Sequence, residues 1–379
     1  MTLVYLVAGE ESGDALGARL MAALRAARPD LQFAGIGGPL MVAQGMVPLF
    51  PMRELAVMGL LEVLPRIFRL RRLLEDAVAD VRARRPDVLV TIDSPGFTLR
   101  LLKRLKNSGL RRIHYVAPQV WAWRESRVKS YPGLWDRLLC LLPFEPAFFA
   151  RHGLEAVFVG HPVLESGAGD GDGARFREAH GIAADAKVLI LMPGSRRSEV
   201  SRLLPVFAET LALLAARFPG LVPVVPVASA VAETVRAAAS SWPARPIVVT
   251  GEKYDAFAAA DAALTKSGTS TLELALAGVP MAVTYKVNPV TGMIARRLIK
   301  VKFVAIVNLL AGRAAVPELL LAECNPVRLA AEVTALLADG PVAAAQRAAF
   351  REIGAALRPP CGVPSVAAAR EVLALLGDS

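Results

Sequence analysis

Short apolar runs alternate with amphipathic stretches along nearly the whole chain, and this alternation restricts the fold more than any other feature. The runs fall at residues 3–7, 32–36, 88–92, 112–116, 138–142 and 156–159, then at 188–191, 222–225, 247–249, 262–264 and 281–284. Continuous apolar strands between helices are buried on both faces, which means parallel sheets with helices packed on either side. Residues 165–173, rich in Gly and Asp, separate the two series. Two Rossmann-like α/β domains are therefore predicted, over 1–165 and 174–350. Helices over 351–379 are expected either to cross back to the first domain or to swap between the subunits of a homodimer. A chain of 379 residues has room for two cores. Ligands of such sheets bind at the carboxyl ends of the strands, so the expected site is a cleft between the domains.

Hydrophobic residues make up 54% of the chain and mean hydropathy is +0.44. Much of this is alanine, and no stretch of ~18 uninterrupted apolar residues marks a membrane-crossing helix. The opening residues read as a first strand, not a signal peptide. Three scattered cysteines, Cys140, Cys324 and Cys361, suit a reducing cytoplasm and give neither a disulfide framework nor a zinc site. The net charge of +10 calls for an anionic partner: nucleic acid, anionic membrane or a phosphorylated substrate. With no helix-turn-helix, zinc-finger or RNA-binding signature, nucleic acid is set aside.

Two turns in the second series favour phosphate. Ile190-Leu191-Met192-Pro193-Gly194-Ser195-Arg196 joins an apolar strand to the amphipathic stretch 196–217. Amides at a helix start lack intrahelical partners, and the helix dipole favours negative charge there. Arg196 and Arg197 add cations. Lys266-Ser267-Gly268-Thr269-Ser270-Thr271-Leu272-Glu273 is a second such turn, after the strand at 262–264. A ligand gripped at both turns is a nucleotide diphosphate. The first series opens with Glu10, Ser12, Gly13 and Asp14, where glycine permits close approach of a ligand. Ser12 or Asp14 alternatively caps the helix at 15–27. Asp170 and Asp172 have metal-pair spacing but lie in the Gly-rich gap, so a solvated linker is expected there.

Further runs carry a resemblance. They include Ile92-Asp93-Ser94-Pro95-Gly96-Phe97, Tyr115-Val116-Ala117-Pro118-Gln119-Val120-Trp121-Ala122-Trp123, Leu142-Pro143-Phe144-Glu145 and Val159-Gly160-His161-Pro162. Asn308-Leu309-Leu310-Ala311-Gly312 and Val316-Pro317-Glu318-Leu319-Leu320 complete the order. With the two phosphate turns, and over nearly its whole length, the chain resembles the lipid-A-disaccharide synthases. These are inverting glycosyltransferases of the GT-B type, with two Rossmann-like domains. The resemblance implies transfer from UDP-2,3-diacylglucosamine to 2,3-diacylglucosamine 1-phosphate (lipid X), giving lipid A disaccharide 1-phosphate and UDP. It implies a source that makes lipopolysaccharide. Alternatives are another UDP-sugar enzyme of the same architecture, such as a 2-epimerase or the peptidoglycan glycosyltransferase, or an inactive lipid- or nucleotide-binding homologue.

Sugar transfer needs a base for the acceptor hydroxyl and stabilisation of the departing diphosphate. By position alone Asp93, at the end of the strand 88–92, reads as a helix cap before it reads as a base; the resemblance reverses that and makes it the candidate base. The family usually has a second acid where this chain has Gly96. Arg196, with Gly194 and Ser195, is the candidate diphosphate grip, its guanidinium matching phosphate oxygens at two points. Ser267, Gly268, Thr269 and Ser270 add amides and hydroxyls. Glu273 either holds the ribose hydroxyls or closes a capping box with Ser270. Trp121 and Trp123 either pack on sugar or acyl chain or sit in the core. Asn308 and Glu318 are assigned to the acceptor cleft on resemblance alone. His114 reads as a buried strand residue. Neither a cofactor nor a metal is expected.

Residues 59–78 interleave apolar positions, among them Leu61, Leu64 and Phe68, with Arg66, Arg69, Arg71 and Arg72. That pattern suits either an interfacial helix on anionic lipid or a core helix with a basic solvated face. A two-chain acceptor lies in a membrane. The expectation is therefore peripheral attachment to the cytoplasmic face of the inner membrane, aided by basic residues at 100–112 and 296–302.

Overall fold

A computed structural model describes residues 2–55, 67–288 and 301–377. The chain divides into two compact units, Met1–Pro162 with Leu357–Ser379, and Val163–Ala356.

The first unit is built on seven parallel strands, β1 (Leu3–Ala8), β2 (Gln32–Ile36), β3 (Val47–Pro48), β4 (Val88–Ile92), β5 (Arg111–Tyr115), β6 (Arg137–Cys140) and β7 (Ala156–Phe158), in the order β3-β2-β1-β4-β5-β6-β7. Successive β1 side chains enter opposite cores: Tyr5 and Val7 one, Val4, Leu6 and Ala8 the other. Its helices are α1 (Glu11–Ala27), α2 (Pro39–Ala43), α3 (Ile67–Arg84), α4 (Pro95–Arg104), α5 (Val120–Trp123) and α6 (Glu145–Ala150).

The second unit carries β8 (Val188–Met192), β9 (Val222–Pro226), β10 (Ile247–Val249), β11 (Ala262–Lys266), β12 (Met281–Tyr285) and β13 (Glu318–Leu320), all parallel, in the order β10-β9-β8-β11-β12-β13. Helices α7 (Gly173–Ala179), α8 (Arg197–Arg217), α9 (Ser229–Ala239), α10 (Lys253–Ala258), α11 (Ser270–Leu276), α12 (Ile306–Ala311), α13 (Pro326–Leu337) and α14 (Pro341–Ala356) belong to it. Leu203, Phe207 and Leu211 of α8 and Leu329 and Val333 of α13 share one core with Leu189 and Leu264 of the sheet. Full burial of such a side chain contributes about 1.5–3 kcal/mol. The last helix, α15 (Pro364–Leu376), belongs to the first unit, where Ala368, Ala369 and Val372 pack into the same core as Leu20 and Met21 of α1.

In each sheet the chain winds outward in both directions from a central pair of strands: β1 and β4 in the first unit, β8 and β11 in the second. Loops leaving such a pair diverge and open a crevice at the carboxyl edge.

The structure adds to the sequence reading at three points. The edge strands β3 and β13 are two and three residues long and lie outside the predicted series; β13 opens on the charged Glu318. The Gly/Asp-rich stretch leaves Asp170 and Asp172 exposed, as a solvated linker would, but its backbone packs closely at Gly171. A Cβ at Gly171 would collide with the Tyr254 carbonyl, and Asp172 caps α7 by accepting from Arg175 N. Glycine is needed here because one backbone lies directly on another. Finally, α3 turns Leu74, Ala77, Val78 and Val81 into the core, leaving Phe68 82% exposed beside the exposed Arg69, Arg71 and Arg72. Leu61, Leu64, Arg66 and residues 296–300 lie outside the described residues.

Candidate active site

A pocket of about 630 Å³ opens at the carboxyl edge of the second sheet, at the point where β8 and β11 diverge. Gly194, Ser195, Arg196, Gly268, Thr269, Ser270 and Glu273 all line it. Both phosphate-friendly turns therefore open on one cavity. Arg196 stands at the N-cap of α8, one residue before the helix proper, with its side chain 59% exposed. Its Nη1 lies 3.6 Å from Glu199 Oε1, which also accepts Lys266 Nζ at 3.0 Å. Two cations thus meet one carboxylate on the pocket wall. Gly194 has φ +112°, and a Cβ there would press on Glu199. Only glycine makes this turn without strain.

Ser267 does not join the wall: its Oγ donates to Val304 O at 3.3 Å and its amide to Thr284 O at 2.9 Å. Glu273 forms no capping box, because the N-cap of α11 is Thr269 and carries no side-chain cap. Its Oε1 instead accepts from Lys253 Nζ at 2.8 Å and Tyr254 OH at 3.0 Å.

In the first unit, Asp93 sits at the carboxyl end of β4, in the central strand pair. It is not the helix cap; that position is Ser94. Asp93 and Ser94 are consecutive left-handed residues, with φ 48° and 47°, and Val116 at the end of β5 has φ 79°. Left-handed backbone costs a non-glycine residue about 1–3 kcal/mol and is tolerated only where neighbours impose it, commonly at functional sites. Here Asp93 N donates to Tyr115 O at 2.9 Å, Val116 N to Leu139 O at 3.1 Å, and Thr98 Oγ1 to Asp93 O at 2.6 Å. Burial pushes the Asp93 carboxyl above the usual carboxylate range, and a bond from the Ser94 amide offsets part of that. The β1–α1 turn runs alongside, since a Cβ at Gly9 would collide with Ser94 Oγ.

Several predicted cleft residues have structural partners instead. Asp14 is buried, and its carboxylate accepts from Gly38 N, Leu40 N and Met41 N at 2.9–3.0 Å, capping α2. Gly13 is buried against Ala8 and Ile92, and Ser12 is exposed in the first turn of α1. Glu10 is the N-cap of α1. Glu318 accepts from Val304 N, Ala305 N and Asn308 Nδ2, and Asn308 also bonds both ways with the Val316 backbone. This buried network pins the start of α12. Trp121 donates from Nε1 to Glu145 at 3.1 Å and meets Phe144 edge-on, whereas Trp123 is 40% exposed under the Arg124 guanidinium. His114 is buried against Trp135, its Nδ1 2.8 Å from Thr91 Oγ1, and burial lowers its pKa to about 3. It is neutral at ordinary pH.

The family model for lipid-A-disaccharide synthetase matches residues 4–362. The chain belongs to the lipid-A-disaccharide synthetase family. Its relatives include the lipid-A-disaccharide synthases of Granulibacter bethesdensis, 58% identical over 99% of both chains, and of Gluconobacter oxydans, 59% identical over 99% of this chain and 91% of that one. As a member of this family it is a glycosyltransferase of lipid A biosynthesis. Solved structures share its GT-B fold at much lower identity. MurG of Acinetobacter baumannii has a TM-score of 0.57 at 15% identity, each chain fully covered. A putative UDP-N-acetylglucosamine 2-epimerase of Listeria monocytogenes has 0.64 at 14%, covering 98% of this chain and 95% of that one. Family membership thus separates this lipid A glycosyltransferase from the fold's other chemistries.

Sequence reasoning missed Glu199, Lys253 and Tyr254 altogether, and treated Lys266 only as the edge of a motif. The available signal was Lys266 itself, a charge closing the otherwise apolar and buried strand β11. Among the described residues, no three His, Cys, Asp or Glu side chains gather as metal ligands would.

Proposed function

We propose that the chain joins UDP-2,3-diacylglucosamine to lipid X with Asp93 as base and the second-unit pocket as donor grip. Asp93 takes the proton from the acceptor hydroxyl as its oxygen attacks the anomeric carbon. The bond from that carbon to the diphosphate breaks on the opposite face, inverting configuration, and UDP leaves. Arg196, Lys266 and the Gly194–Ser195 backbone stabilise the leaving diphosphate. Glu273 holds the ribose. No metal is required, since the two cations supply the charge.

The support is that both phosphate turns of a family member line one pocket, while a strained, desolvated carboxyl stands at the crevice of the other sheet. A detergent-micelle assay that follows UDP release and disaccharide by mass spectrometry tests the reading. Disaccharide forms, resists EDTA, and is lost in Asp93→Ala with folding intact. UDP release without disaccharide would refute the acceptor assignment.

A further inference from the structure

Glu273 is held from one side only. Lys253 and Tyr254 both donate to Oε1, and Oε2 has no hydrogen-bond partner among the described residues. An oxygen of a carboxylate offers two lone pairs, so two donors saturate Oε1 and fix the carboxyl plane. Lys253 Nζ also lies 4.6 Å from the Tyr254 ring centre, so the two donors brace each other. All three residues line the pocket.

The clamp is itself anchored by the Gly/Asp-rich stretch. Gly171 lies on the Tyr254 carbonyl, a Cβ at Gly167 would touch the Tyr254 ring at 3.8 Å, and Asp172 N donates to Asp255 Oδ1 at 2.7 Å. The segment that first reads as a spacer is therefore the bed on which the clamp rests.

We propose that Lys253 and Tyr254 are positioning residues that lock Glu273 so that Oε2 alone reads the ribose of a bound uridine diphosphate. The proposal rests on the reading of Glu273 as the ribose acceptor. It makes sugar discrimination a property of the clamp rather than of Glu273 by itself.

Calorimetric titration of the full chain with UDP and with 2′-deoxy-UDP tests it. The unaltered protein prefers UDP by about tenfold or more, as expected when a hydroxyl meets a charged acceptor. Lys253→Met and Tyr254→Phe each cut that preference about threefold or more, by weakening UDP and leaving 2′-deoxy-UDP unchanged. Lys253→Arg retains it. The clamp is overturned if Glu273→Ala abolishes the preference while Lys253→Met and Tyr254→Phe leave it intact. It is also overturned if Lys253→Met weakens both nucleotides equally, which would make Lys253 a diphosphate ligand. A preference that survives Glu273→Ala would instead sink the ribose reading beneath it.

Discussion

At the residue scale, identical side chains acquire different tasks from their surroundings. Asp14, in the first turn of α1, and Asp93, in the turn after β4, both stand beside strand-to-helix junctions of the first unit. The first accepts three backbone amides, whereas burial raises the carboxyl of the second. A base works only when ionised, so activity is present above the raised pKa and is lost as pH falls through it. The acid limb of kcat/KM is expected above the ordinary carboxylate range, in a pH–rate profile. Asp93→Asn should lower kcat by about 10²–10⁴ with an unchanged melting temperature, because asparagine also tolerates φ near +50°. Glu145 gives a pH-linked stability test. Burial raises its carboxyl to about 7, against the amide donors of Leu141 and Leu142 and the Trp121 indole. The folded state then holds a proton that the unfolded state has released. This stabilisation is complete below the unfolded value near 4.5 and disappears as pH rises through about 7. Urea unfolding at pH 5 and pH 8 should show wild type losing stability relative to Glu145→Gln, by at most about 3 kcal/mol.

At the scale of elements, helix starts do most of the organising. Asp14→Ala would leave three amides of the α2 start without their acceptor. A loss of about 2–4 kcal/mol in chemical denaturation is expected, with activity per folded molecule retained. Gly96, near the start of α4, makes the opposite case. It is exposed, and nothing lies within 4 Å of the place its Cβ would take. Gly96→Asp places a carboxylate at a helix start and removes a flexible glycine from a helix. A gain of about 0.5–1.5 kcal/mol in thermal unfolding is expected. Equal turnover in the two forms would show that the family's second acid is not the base.

At the scale of the whole molecule, the expected attachment to anionic lipid is open to a direct test. No helix among the described residues is long and apolar enough to cross a membrane. A net charge of +10 and Phe68 standing out beside Arg69, Arg71 and Arg72 suit attachment to an anionic surface. Each basic side chain near such a surface contributes about 1 kcal/mol, screened by salt. Sedimentation with anionic vesicles should therefore show binding at low ionic strength. Replacing Phe68, Arg69 and Arg72 by Ser should weaken it at least tenfold, and binding indifferent to both salt and these changes would refute the idea.

Apolar runs and their spacing determined the two doubly wound sheets, because strands buried on both faces are mostly apolar and so declare themselves, even where β5 buries Arg112 and His114. Motif order likewise carried Asp93 and the two phosphate turns to the ends of strands. What the sequence left open was the partner of each polar side chain. Asp14, Glu318 and Asn308 have the residue types of a binding site, yet each meets backbone amides or carbonyls brought to it from 8 to 27 positions away. Lys253 and Tyr254 reach Glu273 across 20 and 19 positions by the path of the chain through β11. Hydrogen bonding is short-ranged and directional, so which donor meets which acceptor is fixed only when the helices are packed. The burial that follows then raises the Asp93 carboxyl above the usual carboxylate range.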